Sequence, residues 1–497
     1  MRSTTSRSRV IPSLIVLFFI VGLLVLYVRG REGAAAEAAA PAAVPFDIIT
    51  GVMKLEPSRG EIRSVVEFRA EKLIPNAPTE LIWMTVEGSY KLDGIYAFIQ
   101  PEYEEREVLL LTGQADGNGV WAGRFVVPEG FGGDHTLYVR QSGKKVAQSN
   151  FFVEPTYHIS PTSGPVGTEI TVTVEGIGWV DMHSNFQLTY DNKMTGLLSA
   201  VTTNGKAEAK IRAAGPPGMH TISVWRGYLG MPYINHEQSP NPPYEVPNLL
   251  FEVTDEAPRM ENYVESIPDS AAGGGVEMPE LQNKPGVQVS LNKEGGIVGE
   301  AVTLQASGLP ASKSVQLVWN TMRGNRISAT GFAEHSTILG EASSDRDGNL
   351  EYGFAIPEDL GGPPHRIDVV VDGQIYGQAY LSIYPSIVSM SPMSGPAGTP
   401  ITIEIQGVGW TEYDNAYHLT YDNAYTGYMC GFNSQGTVKF TLFAAGEPGY
   451  HIIDLYPGIY KGAKKQPDIY VAPQLTYQKD HPGSAIPAIR LGFEVTE

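Results

Sequence analysis

The chain has 497 residues, 42% of them hydrophobic and 18% charged, with a net charge of −19. That exceeds one ordinary domain, and 55 glycines with 36 prolines favour turn-rich β-structure over long helices. The acidic balance, without a Lys/Arg cluster beyond the N-terminus, argues against a nucleic-acid partner, while a single cysteine, Cys430, excludes an intrachain disulfide and any zinc site needing two or more thiolates.

Arg2, Arg7 and Arg9 open the chain, and residues 10–28 follow without a charge, about the length a helix needs to cross a bilayer. Two readings fit, a cleaved signal peptide and an uncleaved signal-anchor. The Ala-rich stretch 34–43 offers A-x-A cleavage sites, whereas Arg29, Arg31 and Glu32 directly after the apolar run favour the anchor. Either way the basic N-terminus stays in the cytosol and the rest is exported, which makes the exported part more acidic than the whole-chain charge. No cysteine lies near this segment, which excludes a lipoprotein anchor, and the absence of N-x-Ser/Thr sequons favours a prokaryotic source.

The exported part contains an internal duplication. Ser160-Pro-Thr-Ser-Gly-Pro-Val-Gly-Thr168 recurs as Ser391-Pro-Met-Ser-Gly-Pro-Ala-Gly-Thr399. Without a gap follow Gly176-Ile-Gly-Trp179 and Gly407-Val-Gly-Trp410, then Leu188-Thr-Tyr-Asp-Asn192 and Leu419-Thr-Tyr-Asp-Asn423, and finally Pro217-Gly-Met-His220 and Pro448-Gly-Tyr-His451. Both copies end on Phe-Glu-Val-Thr. A weaker repeat precedes each: Leu81-Ile-Trp83 with Leu317-Val-Trp319, and Val127-Pro-Glu-Gly-Phe-Gly-Gly133 with Ile356-Pro-Glu-Asp-Leu-Gly-Gly362. The expected organisation is a cytosolic stub and signal-anchor (1–31), an Ala-rich linker (32–45), and then modules A1 (46–155) and B1 (156–255). A flexible acidic linker (256–285) leads to A2 (286–384) and B2 (385–497). Alternation in Ile170-Thr-Val-Thr-Val174 and Ile401-Thr-Ile-Glu-Ile405, with similar runs at 221–224, 367–371 and 440–443, predicts short strands separated by Gly- and Pro-rich turns. The fold class is all-β, tandem immunoglobulin-like β-sandwiches behind one transmembrane helix.

The Ser-Pro-x-Ser-Gly-Pro-x-Gly-Thr opening, the alternating strand and the Gly-x-Gly-Trp turn make module B resemble the immunoglobulin-like IPT/TIG domain over about half of the exported chain. The resemblance implies a β-sandwich; such modules occur in surface receptors, enzymes and transcription factors alike. Both copies depart from the family's compactness by a long segment before the last strand. Module A is similar to a generic immunoglobulin-type domain of bacterial surface proteins.

Those long segments hold the candidate binding residues, Tyr228, Tyr233 and Tyr244 in B1 and Tyr460, Tyr470 and Tyr477 in B2, because loops at a sandwich end carry recognition and Tyr gives contact area at low entropic cost. Packing against a neighbouring module is the alternative and the favoured one. Asp345, Asp347 and Asn349 resemble the first half of a calcium loop, but without the distal glutamate a Gly-Asn hairpin turn explains them better, and no cofactor is expected. Tyr190-Asp-Asn192 and Tyr421-Asp-Asn423 are expected as turns, His135, His220, His365 and His451 as buried imidazoles bonded to backbone, and Trp83, Trp179, Trp319 and Trp410 as core anchors. No metalloprotease, nucleophile-elbow, P-loop or dinucleotide signature occurs, and Ser142-x-x-Lys145 stands without its companion motifs.

The expectation is therefore a non-catalytic, membrane-anchored extracytoplasmic rod that meets a protein or glycan at the cell surface. Two rivals remain: an accessory subunit of an envelope membrane complex, and a carbohydrate-binding or carbohydrate-active protein.

Overall fold

The repeated alternation builds the sheets. In Glu169–Glu175 the side chains of Ile170, Val172 and Val174 are buried and those between them half-buried, and Pro400–Gln406 repeats the pattern with Ile401, Ile403 and Ile405. The computed structural model describes residues 49–95, 97–180, 186–228, 231–238, 246–268, 276–325, 331–458, 472–483 and 486–497. The expected membrane segment lies outside these. Among the described residues no helix is long and apolar enough to cross a membrane.

The described chain is all-β and forms tandem sandwiches. Each of the four modules pairs a three-stranded sheet with a larger one, and the order is the same in all four, so A and B share one topology. In B1, for example, Thr156–Ser160, Glu169–Glu175 and Lys206–Arg212 form one sheet, and Phe186–Tyr190, Lys193–Leu198, Gly218–Tyr228 and Asn248–Val253 belong to the other. Every module also carries a short strand that runs parallel to its last strand: Arg59–Glu61, Ser163–Gly164, Gly295–Gly296 and Ser394–Pro396. The repeated Ser-Gly-Pro-x-Gly-Thr motif is thus the passage of the chain from one sheet to the other. Its second glycine, Gly167, has φ 85°, and a Cβ there would sit 2.4 Å from the Arg259 carbonyl, so only glycine fits.

Both A modules contain a long hairpin, Pro78–Asp93 with Ala97–Gln114 in A1 and Ser314–Asn325 with Gly331–Ser343 in A2. Ser142 and Gly143, with φ 49° and 77°, form the tight turn between Gly133–Gln141 and Lys144–Glu154, which accounts for the Ser-x-x-Lys spacing.

Two expectations need correction. The connector 256–285 is tied down over its described residues: Tyr263–Val264 pairs with Ile489 and Arg490 at the edge of B2, and the Asn283 side chain and Lys284 backbone bond to Gln378 and Tyr376 of A2. A rod, in which modules touch only their neighbours in sequence, is also overturned. Ile452, Tyr456, Leu475, Tyr477 and Ala488 of B2 belong to the same buried cluster as Ile170, Val172, Leu198 and Ile211 of B1, with all of A2 between them in sequence.

Candidate interaction interface

The repeated motifs meet one another in joints. The Gly-Gly of module A touches the Gly-x-Gly of module B: the Gly132 amide donates to the Ile177 carbonyl and the Gly361 amide to the Val408 carbonyl, both at 3.0 Å. A Cβ on Gly132 would lie 1.8 Å from the Gly176 carbonyl oxygen, and one on Gly361 1.9 Å from that of Gly407. Trp179 packs its edge on Phe131 and His135 at the first joint, and Trp410 meets Phe332 at the second. Arg63 adds an ion pair to Glu175, at 2.8 Å, across the A1–B1 joint.

The four histidines are structural, as expected from their positions. His135 reaches the Met84 and Phe131 carbonyls and stacks on Trp83; His365 reaches the Asn320 and Leu360 carbonyls and stacks on Trp319. Burial holds the His135 pKa below the usual imidazole value. In the B modules the Tyr-Asp-Asn turn supplies a further partner: His220 Nδ1 lies 2.6 Å from Asp191 and His451 Nδ1 2.6 Å from Asp422. Asp191, Asn192, Asp422 and Asn423 all have positive φ, the turn chemistry the sequence indicates. Burial lowers the pKa of His451, but the bond to Asp422, its charge and the Glu447 carbonyl together outweigh that and raise it. Trp83, Trp319 and Trp410 are buried, while Trp179 is half-buried in its joint.

Asp345 accepts the amides of Asp347 and Asn349 on Oδ1, at 2.8 Å each, and the Asn349 side chain on Oδ2. Asp116 holds the equivalent loop of A1 in the same way through Asn118 and Val120. The Asn349 and Asp347 amides keep the Asp345 carboxyl below its ordinary pKa. These loops join strands of different sheets, so they are corners between sheets and not the hairpin turns the dipeptides indicate.

Of the tyrosines in the long segments, Tyr244, Tyr460 and Tyr470 lie outside the described residues. Tyr228 closes the strand Gly218–Tyr228, and Tyr233 is half-buried beside exposed Met231 and Ile234. Tyr477 is buried, its hydroxyl donating to Glu265 of the connector. The described part of that segment lies against B1: the Leu197 amide donates to Pro473 at 2.7 Å and the Leu475 amide returns to Leu197 at 2.9 Å. Asp480 then accepts from the Val201 and Thr202 amides of B1 and from the Tyr90 hydroxyl of the A1 hairpin. The hairpin is fixed further by Phe98, Tyr413 and Val201.

Sequence reasoning missed the centre of this interface. Arg212 of B1 donates through Nε to Asp454 of B2 at 2.9 Å, with exposures of 3% and 0%. Arg490 spans Asp454, at 3.0 Å, and Glu265 of the connector, at 2.6 Å, and lies over the Tyr456 ring. Two guanidiniums face two carboxylates, so the buried cluster is neutral. Arg490, Tyr456 and the Asn423 side chain also donate to the Lys210 and Arg212 carbonyls, the open backbone edge of Lys206–Arg212. The legible signal was the divergence between copies: in the 231-residue register Arg212 aligns with Phe443 and Asp454 with Ser223.

No protein-family model matches the chain, and no curated protein matches it either. Among solved structures, a Salmonella alpha-2-macroglobulin reacted with methylamine matches over 88% of this chain and 30% of its own, at 10% identity and a TM-score of 0.19. A tetra-tandem repeat from the extending region of a large adhesion protein matches over 90% of this chain and 99% of its own, at 9% identity and a TM-score of 0.19. A trypsin-activated alpha-2-macroglobulin from Escherichia coli covers 90% of this chain and 42% of its own, at 9% identity and a TM-score of 0.16. The chain thus spans less than half of either macroglobulin. Scores this low do not establish a common architecture, and the fold assignment rests on the strands of this chain.

Proposed function

We propose that the chain is a membrane-anchored protein with its bulk outside the cytoplasm, built of IPT/TIG-like B modules and immunoglobulin-like A modules, and that it serves without catalysis as an interaction or structural protein of the cell surface. One observation carries this reading. The repeated glycine motifs lie in joints within the molecule, and large apolar side chains are left outside on A and B modules alike, among them Val65, Leu109 and Val126 on A1, Met219, Met231, Ile234 and Leu250 on B1, and Tyr428 and Phe443 on B2. Exposed large apolar side chains mark contact surface for a protein more than for a glycan.

A photo-crosslinking residue at position 219 or 443 of the full-length chain, activated in native membranes, tests the contact. The expected result is a discrete protein adduct from each position; no adduct from either would contradict the proposal. Protease applied to spheroplasts tests the topology, with digestion of the bulk from outside expected and full protection of the chain contradicting it.

A further inference from the structure

The contact between B1 and B2 joins two different surfaces of one module type. B1 contributes its open side, the edges Lys193–Leu198 and Lys206–Arg212, whereas B2 contributes the outer face of Gly449–Gly458 and Ile489–Thr496, together with the strand Ala424–Cys430 and the segment 473–475, which meet Lys193–Leu198. Because the modules share topology, B1 also possesses the strands of that outer face and B2 the edges of that open side. We infer that these two leftover surfaces bind each other between molecules, the outer face of B1 in one chain covering the open side of B2 in a second copy of the chain.

The leftover surfaces are more open than the equivalent positions that the internal contact covers. On the open side, Leu197 is 2% exposed and Arg212 3%, while their equivalents in B2, Tyr428 and Phe443, are 47% and 66% exposed. Phe440 and Leu442 are half-buried where Ala209 and Ile211 are fully buried. Val438–Phe443 ends its sheet, so its outward backbone faces the position that Asn423, Tyr456 and Arg490 fill for Lys206–Arg212. On the outer face, Ile452 and Tyr456 are buried, while their equivalents in B1, Thr221 and Trp225, are half-buried, and Met219 and Leu250 on the same face are 60% and 46% exposed.

The chemistry has changed on both sides together. The internal contact pairs Arg212 with Asp454; the leftover surfaces carry Phe443 and Ser223 at those positions, so neither presents a charge to be buried alone. An arginine kept at 443 without its aspartate at 223 would make the contact costly. A contact between unlike surfaces does not close on itself after two chains, so the assembly it generates is a head-to-tail series.

This inference rests on the same surfaces as the proposed function and names their partner. The full-length chain in non-ionic detergent is followed by sedimentation velocity up to about 100 μM, with Phe443→Glu and Met219→Glu, both at exposed positions whose folding is checked by thermal melting. The wild-type chain is expected to form species that grow with concentration and to associate more strongly in high salt, which screens repulsion between acidic molecules. Each variant alone should associate roughly 10- to 100-fold more weakly, and an equimolar mixture should stop at dimers, since only one intact contact can form. A monomeric wild-type chain throughout, or variants that associate like the wild type, overturns the inference. A crosslinked adduct with a different protein would likewise overturn it while leaving the proposed function standing.

Discussion

Arg212, Asp454, Arg490 and Glu265 exclude water from four charges, and such a cluster holds only while it stays balanced. Asp454→Asn leaves two guanidiniums facing one carboxylate, and we expect it to lower stability by about 3–5 kcal/mol, measured as a shift in urea midpoint. Adding Arg212→Met restores the balance and should recover most of that loss; equal loss in single and double variants would show that geometry and not charge is decisive. A second residue-scale test concerns pH. Burial drives the His418 pKa down to about 3, so the folded chain keeps this imidazole neutral. The unfolded chain takes up a proton near pH 6.5, so the contribution is present above that value and is lost as pH falls below it. His451 acts in the opposite direction: its raised pKa contributes below the unfolded value and is lost as pH rises through the folded one. His418→Gln should therefore flatten the fall in melting temperature between about pH 6.5 and 4, whereas an unchanged slope would remove His418 from the account.

Strands were the most legible elements, because one buried face writes its period into the sequence: the alternation at 170–174 and 401–405 falls inside Glu169–Glu175 and Pro400–Gln406. The glycine pairs were legible as motifs but not as joints, since nothing in either motif says that the two backbones touch. Gly132→Ala should force the A1–B1 joint apart, with a cost of about 1–3 kcal/mol and faster hydrogen exchange at the Gly132 and Ile177 amides; unchanged exchange would show that the joint tolerates a methyl group. The long A1 hairpin makes a similar prediction at its tip. Phe98 is buried where A1, B1 and B2 meet, and Phe98→Ala should cost about 3–5 kcal/mol, against near-neutrality if the hairpin merely projects into solvent.

For the whole molecule, the duplication indicates four modules in the order A-B-A-B but not how the halves stand to each other. A repeat shows what two modules have in common; the contact between them depends on where they differ, as at Arg212 and Phe443 or Asp454 and Ser223. The same limit affected the tyrosines. Tyr477 was found by its place in a long segment, yet its partner, Glu265, sits in a connector whose glycines and scattered charges indicate a tether. Each apolar side chain that B2 buries against B1 contributes roughly 1.5–3 kcal/mol relative to exposure, enough in sum to hold the halves without the covalent connector. A protease site inserted between Gly273 and Gly274 of the full-length chain tests that directly. After complete cleavage the fragments should elute together at micromolar concentration on size exclusion, and separate elution at the size of each half would contradict the closed arrangement.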